Sequence, residues 1–314
     1  PRWQLGIGLK NWIMKKHWRE IMLVNDKWEG PIVDQHMHLD RTNRFLSAAE
    51  EFSNAGGTGI FLVHKPSFST SLPRNISDYR DVYQETLNMA SKVREKIGLD
   101  VQVVLGPHPV TWDIQANTMG VEESTELHIS AVGLALEMIE NGDAICLGEV
   151  GRPHYHVSED RWERANDMLL EIMRMASSSN SPVQLHVEDN GHQTCADLAY
   201  LCDKAGLPRN RAVRHFASSD LSQKNTSGLP VTVSMGKGSI EGICSSIELS
   251  KSHWGMETDF LDDPRRPGAV LGPRTIPKRT NQLCKALRLM GWDNDKIERC
   301  ILDIHENWIS STYF

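Results

Sequence analysis

Six residues of metal-ligating types, histidine and carboxylate, stand at the ends of short apolar segments of this 314-residue chain. Imidazole and carboxylate groups are ligands that Zn²⁺ and similar divalent ions favour, and a catalytic zinc needs three protein ligands plus a water. Six ligands therefore suffice for two ions that share one carboxylate. The predicted ligands are His36, His38, Glu149, His186, His215 and Asp259.

The chemistry depends on how these ligands are shared. His36 and His38 lie on alternate residues, so their side chains project to the same side of a strand. Glu149 is predicted to bridge two ions about 3.5 to 4 Å apart. The two predicted sites are then His36, His38 and Asp259 for one ion, and His186 with His215 for the other.

Two divalent ions, Zn²⁺, Mn²⁺ or Mg²⁺, would lower the pKa of a bridging water, polarise the bond to be broken and hold the leaving oxygen. Asp259, at the rim of the first site, is placed to take the proton of that water and pass it to the leaving group. Asp259 and Glu149 are therefore the predicted catalytic residues. A single histidine on a strand is more often a hydrogen-bonded core or surface residue, so the prediction depends on the joint pattern.

Further polar residues are predicted to face the same rim. His64 and His108 exceed the ligand count, so they contact substrate or ligands, or else pack within loops. Arg152 and His154 could meet an anionic substrate, although a surface loop explains the pair equally well. A loop rich in Pro and Gly carries Arg265 and Arg266, which suit bidentate contact with phosphate or form a solvated face.

The elements that must position these residues follow from the pattern after residue 31. Short β-branched segments alternate with longer amphipathic ones, which is typical of βα units and a parallel sheet. Predicted helices include 127–139, 159–176, 194–205, 240–250, 278–290 and 294–303. Strands are predicted at 32–34, 59–63, 101–105, 144–147, 182–185, 212–214, 231–234 and, more weakly, just before residue 258.

Eight such repeats predict an α/β fold of the (β/α)8 TIM-barrel type, in which the active site lies at the C-terminal ends of the strands. A doubly wound open sheet also fits the alternation, but no GxGxxG segment follows a strand. Residues 29–314 are predicted to form the barrel domain with additional C-terminal helices. Residues 1–28, rich in Trp and Lys, are predicted to be an N-terminal extension of unclear role.

The composition restricts the class of protein. Apolar residues make up 39% and charged residues 24%, which excludes disordered and fibrous classes. No uncharged apolar stretch of about 18 residues exists, so no membrane span or membrane partner is expected, and the cytoplasm is the default location. The six cysteines form no CxxC pair and are predicted to be free thiols. A net charge of −7 means that nucleic-acid contact would need a local basic patch, and the oligomeric state is not predicted.

With these motifs in hand, the sequence resembles the TatD-type metal-dependent deoxyribonucleases of the amidohydrolase superfamily, in particular their archaeal branch. The resemblance implies a TIM barrel, two divalent metals and hydrolysis of phosphodiester or related bonds, with single-stranded DNA ends or a small phosphoester as the partner. The family has HxH, GxHP, GEIG-like, single His and ETD motifs. The matching segments are His36-Met37-His38, Gly106-Pro107-His108-Pro109, Gly148-Glu149-Val150-Gly151, His186, His215 and Glu257-Thr258-Asp259.

Three segments depart from the family pattern. The segment after His38 reads Leu39-Asp40-Arg41, the segment after Gly151 reads Arg-Pro-His where Leu-Asp is usual, and the loop after Asp259 is long. In typical members these loops shape the DNA groove. An amidase, lactonase or other small-molecule hydrolase is therefore the alternative function. A third hypothesis is a non-enzymatic metal-binding protein, whose ligands would leave no open coordination position.

Overall fold

Parallel strands alternate with helices in the computed structural model, which describes residues 21–66, 72–263, 265 and 271–314. The nine strands of the sheet run in the order β10-β9-β8-β7-β6-β5-β4-β3-β11. Their bounds are β3 Val33–His38, β4 Gly59–Val63, β5 Asp100–Leu105, β6 Cys146–Gly151, β7 Val183–His186, β8 Ala212–Ala217, β9 Val231–Ser234, β10 Trp254–Glu257 and β11 Phe260–Leu261.

The two edges of this sheet meet. Strand β11 follows β10 after a break of two residues and pairs in parallel with β3, where Phe260 lies opposite Met37. Closure of a parallel sheet with helices between its strands gives a (β/α)8 barrel. The predicted fold class is therefore confirmed, and the doubly wound open sheet is excluded.

Each predicted strand is present, but several extend further toward their C-terminal ends. Strand β3 continues to His38, and all six of its residues are buried. Strand β8 continues past His215 to Ala217. The prediction ended these strands early because polar residues interrupt the apolar pattern, whereas the polar side chains are part of the buried strands themselves.

Helices follow the strands, and the six predicted helical segments all fall on observed helices. Asn75 begins α2, where its side chain accepts hydrogen bonds from the backbone N–H groups of Ser77 and Asp78. The helices are α1 Leu46–Asn54, α2 Ile76–Ile97, α3 Pro109–Met119, α4 Val121–Glu140, α5 Glu159–Ser178, α6 His192–Ala205, α7 Gln223–Thr226, α8 Ser239–Ser246, α9 Thr275–Leu289, α10 Asn294–Leu302 and α11 Trp308–Tyr313.

The predicted N-terminal extension lies only partly within the described residues, which begin at residue 21. There, β1 Leu23–Val24 and β2 Lys27–Trp28 form an antiparallel hairpin. The Glu298 carboxylate of α10 accepts the backbone N–H of Leu23 at 3.0 Å, and the Asn281 side chain of α9 accepts that of Trp28 at 2.9 Å. The hairpin is therefore anchored to the C-terminal helices.

Helix α11 packs against apolar residues of several strands. Trp308, Ile309 and Tyr313 form one buried apolar cluster with Val33 and Val213, among others. The Trp308 indole donates to the Ile304 carbonyl at 2.9 Å, so its single polar group is satisfied. Helix α11 thus supports the strands of the barrel through buried apolar contacts. No described helix is long and apolar enough to cross a bilayer.

The buried Trp308 gives a test of this support. We expect Trp308→Ala to lower the free energy of unfolding by about 3–5 kcal/mol, because it leaves a large cavity in this apolar cluster. Leu289→Ala, at a side chain that is 89% exposed on α9, is the matched control and should change it by less than about 0.5 kcal/mol. Urea unfolding followed by circular dichroism measures both; equal effects of the two variants would contradict the supporting role of α11.

Candidate metal centre

The six predicted ligands converge at the C-terminal ends of the strands. His36 and His38 belong to β3, and Glu149 lies in β6. The remaining histidines come from neighbouring strands, His186 from β7 and His215 from β8. Asp259 lies in the break between β10 and β11, where its backbone is left-handed with a φ of 49°, a conformation that Asp adopts more readily than most residues.

The Glu149 carboxylate lies at the middle of this cluster and is 3% exposed. Its Oε2 atom is 3.5 Å from His36 Nε2 and 3.3 Å from His38 Nε2. Its Oε1 atom is 2.8 Å from His186 Nδ1 and 2.9 Å from His215 Nε2. One oxygen therefore faces each histidine pair, which is the geometry that a bridging carboxylate requires.

Asp259 approaches one of these pairs from the side of the opening. Its Oδ1 atom lies 3.5 Å from His38 Nε2 and 3.9 Å from His36 Nε2. Its side chain is 25% exposed, whereas Glu149 and the two histidines are almost fully buried. Asp259 is thus the carboxylate of the cluster that solvent or a substrate can reach.

The histidine pairs place ring nitrogens against each other. His36 Nε2 and His38 Nε2 are 3.2 Å apart, and His186 Nδ1 and His215 Nε2 are 2.9 Å apart. His38 Nδ1 lies 3.1 Å from the Val63 carbonyl. A carbonyl only accepts, so Nδ1 carries the proton and, in the neutral ring, Nε2 directs a lone pair into the site. A cation bound by both rings would remove the repulsion between lone pairs that face each other, so the residues fit a metal.

The charges within the cluster also favour the binding of a metal. Burial raises the pKa of Glu149, but the surrounding imidazoles outweigh it and hold that pKa well below its usual value. Burial lowers the pKa of His38, yet hydrogen bonds and charge from Asp259 and Glu149 raise it to about 9. The carboxylates therefore stay ionised and attract a cation, and a metal must displace protons from the imidazoles to bind.

Two buried carboxylates support the ligands and had no predicted role. Glu257 accepts the backbone N–H of Phe216 at 2.8 Å, and its Oε1 atom lies 3.4 Å from His215 Nδ1. Asp34 accepts the backbone N–H of Thr258 at 3.0 Å and its hydroxyl at 2.6 Å. Such partners fix the orientation of ligands and of the segments that carry them. Glu257 stands in the Glu257-Thr258-Asp259 motif, whereas the only signal for Asp34 was a carboxylate inside an apolar segment.

The two additional predicted histidines lie beside the cluster. His64 is buried, its Nδ1 is 3.0 Å from the Thr86 hydroxyl, and burial lowers its pKa to about 3. His108 Nδ1 accepts the backbone N–H of Val110 at the start of α3. Its proton is therefore on Nε2, which lies 3.9 Å from Glu149 Oε1. At this distance the two atoms form no hydrogen bond, and ligand atoms of His108, Glu149 and His186 lie within 4.8 Å of one another, close enough to hold an ion.

Two of the three predicted basic residues, Arg152 and Arg265, pair with other groups of the chain. Arg152 is 2% exposed, and its guanidinium bonds Glu188 at 2.7 Å and Asn166 at 2.7 Å. Its placement corrects the prediction of a substrate contact, because the group is enclosed by protein. Arg265 is exposed and pairs with Asp263 at 2.6 Å. Arg266 lies outside the described residues.

A further neighbour of the cluster is His154, which was predicted, with Arg152, to meet an anionic substrate or to lie in a surface loop. His154 follows strand β6, and its Nδ1 is 2.7 Å from His186 Nε2. His186 therefore has a partner for each ring nitrogen, with Glu149 and His215 on the other side. The Arg-Pro-His departure thus places an imidazole where it orients a predicted ligand.

A parallel barrel with histidines and carboxylates gathered at the C-terminal ends of its strands defines a class of metal-binding (β/α)8 proteins. Within that class, the family model of the TatD-related DNases matches residues 33–310, and the chain belongs to that family. The match covers each of the six predicted ligands, so the predicted resemblance is confirmed.

Relatives and solved structures agree with this assignment. An uncharacterized protein of Methanocaldococcus jannaschii is 29% identical over 257 residues, 81% of this chain and 87% of the relative. An uncharacterized metal-dependent hydrolase of the same organism is 26% identical over 178 residues, 56% of this chain and 61% of the relative. A TatD homologue from Escherichia coli superposes with a TM-score of 0.59 at 19% identity, covering 87% of this chain and 95% of that one.

A second Escherichia coli structure, a phosphotriesterase homology protein with phosphate in its active site, superposes with a TM-score of 0.57 at 12% identity. It covers 91% of this chain and 99% of its own. At these identities the structural matches establish the barrel fold.

The position of Glu149 leads to a prediction about metal content. We expect about two divalent ions per chain, falling to one or fewer in Glu149→Ala, because both pairs lose their shared carboxylate. Glu163→Ala, at an exposed carboxylate on α5, is the control and should retain both ions. Elemental analysis after dialysis against Zn²⁺ or Mn²⁺ measures this. A wild-type chain without metal under these conditions would contradict the assignment.

Proposed function

We propose that this chain is a metal-dependent hydrolase that cleaves phosphodiester bonds at a two-metal centre. The observation that carries the proposal is the division of the Glu149 carboxylate between two histidine pairs. Family membership supports the class of bond. The name of one relative, a metal-dependent hydrolase, and the phosphate bound in one structural neighbour are consistent with it.

In this proposal the six ligands form the same two metal sites that the sequence analysis predicted. Glu149 belongs to both. When bound, two divalent ions would lower the pKa of a water molecule and neutralise charge on the phosphate oxygens. The remaining ligands are His36, His38 and Asp259 for one ion, and His186 with His215 for the other.

The chain's own groups would then prepare and complete the reaction. The Val63 carbonyl and the Glu257 carboxylate hold the rings of His38 and His215 in fixed orientations. Burial raises the pKa of Asp259, but the hydrogen bond from His38 and the nearby imidazoles lower it below its usual value, so the carboxylate is ionised. Asp259 accepts the proton of the attacking water and returns it to the leaving oxygen.

The substrate we propose is the end of a single-stranded DNA or a small phosphoester. Support comes from the family and from the partial exposure of Asp259, which opens the cluster at one side. A small-molecule ester or lactone is the competing class of substrate, and an activity panel distinguishes the two.

Nucleotide release from a single-stranded oligonucleotide is the direct test. We expect release with Mg²⁺, Mn²⁺ or Zn²⁺, loss of it in Glu149→Ala, and a fall in kcat of at least about 100-fold in Asp259→Asn, because the amide cannot accept the proton. Asp160→Asn, an exposed carboxylate on α5, is the matched control.

Chromatographic separation of released nucleotides measures all four proteins. No release with any metal, together with turnover of an ester or lactone, would replace phosphodiester cleavage by the competing activity. Equal activity of the wild-type chain and Asp259→Asn would contradict the proposed proton transfer by Asp259 but not the assignment of the metal site.

A further inference from the structure

A cavity of about 300 Å³ adjoins the metal centre at the C-terminal ends of β7, β8 and β9. Its wall includes Phe216, which directly follows His215 and whose ring centroid lies 6.2 Å from that imidazole. Ser234, also in the wall, lies opposite Glu257 in the register of β9 and β10. The six predicted ligands do not line the cavity, but Phe216 and Ser234 place it beside His215 and its partner Glu257. Its volume is that of a small-ligand site.

Phe216 is an unusual residue for its position. Its side chain is 54% exposed, and its backbone is left-handed with a φ of 51°, which is unfavourable for a bulky residue. The backbone is held there by the bond from Phe216 N–H to Glu257. An aromatic ring kept exposed at such a cost on a cavity wall is a surface for stacking another ring.

Lys237 supplies positive charge to the same cavity. Its side chain is exposed, and no carboxylate of the described residues forms an ion pair with it. The acidic residue of the wall, Asp189, is bonded to the Arg214 guanidinium at 2.9 Å, so its charge is compensated. Hydroxyl groups, among them that of Ser218, complete a lining suited to an anion.

We propose that this cavity binds one nucleotide unit adjacent to the scissile phosphate, with its base stacked on Phe216 and a second phosphate held by Lys237. The inference rests on the proposed function, which places the scissile phosphate at the metal centre. It names the substrate class more closely: a phosphodiester whose neighbouring unit carries both a flat ring and a further anionic group. Phe216 and Lys237 are then specificity-determining residues.

Binding without turnover tests the cavity separately from catalysis. Deoxythymidine 3′,5′-bisphosphate is titrated calorimetrically into the metal-loaded protein. We expect Kd to rise about tenfold in Phe216→Ala, through loss of stacking, and about tenfold in Lys237→Ala. Tyr200→Ala and Lys251→Ala, at exposed residues outside the cavity, are the matched controls and should bind as the wild-type chain does.

The chemical origin of each loss is tested with truncated probes and conservative variants. Deoxyribose 3,5-bisphosphate, which lacks the base, should bind the wild-type chain and Phe216→Ala equally. Deoxythymidine 5′-monophosphate should bind the wild-type chain and Lys237→Ala equally. Phe216→Tyr and Lys237→Arg should restore tight binding, and melting temperatures show that each variant is folded.

The outcomes separate this proposal from the proposed function. If bisphosphate binding weakens as expected but the protein hydrolyses no phosphodiester, the proposed nucleotide site is supported and the proposed phosphodiesterase activity is contradicted. If both alanine variants hydrolyse oligonucleotides with unchanged KM and bind the bisphosphate as the wild-type chain does, the proposed nucleotide site is overturned. The proposed phosphodiesterase activity then still holds. Failure of the bisphosphate to bind the wild-type chain also overturns the cavity.

Discussion

The burial of one ionised carboxylate is the constraint on which the site depends. An ion of this kind is costly to bury unless charged or hydrogen-bonding groups surround it. Glu149 meets this condition through imidazoles from β3, β7 and β8, each within 3.5 Å of one of its oxygens. These strands must therefore keep their registers, which closure of the barrel through β11 and the bonds from Thr258 to Asp34 both enforce.

This constraint explains how much could be predicted from the sequence. Each ligand stands at the end of an apolar segment, and the C-terminal ends of parallel barrel strands meet at one face, so the cluster around Glu149 followed from topology. The groups that orient those ligands could not be predicted from topology. The motif that contains Glu257 does not show that its carboxylate contacts His215, and Asp34 looks like an ordinary polar residue. The tautomer of His108 depends on the backbone N–H of Val110, which only the folded loop presents.

Helix α11 contributes apolar contacts to the strands that carry the cluster. Trp308 and Tyr313 are buried with apolar side chains of several strands, among them Val33 and Val63. The sequence predicted helices at 278–290 and 294–303 but not α11, because a segment of six residues is too short for its periodicity to be recognised. Its burial of apolar area offsets the cost of holding charged groups that do not stabilise the fold by themselves.

The pairing of the basic residues limits how an anionic substrate can be bound. Arg152 is buried against Glu188, so removing it from its partner would leave a carboxylate unpaired in the interior. Arg265 is different, because its pair with Asp263 is exposed and weakened by solvent, so a phosphate can replace that partner. With a net charge of −7, the chain offers little general attraction for a long polyanion. Recognition of a single unit beside the metal centre, by an aromatic ring and one lysine, is compatible with that charge because it needs only local contacts.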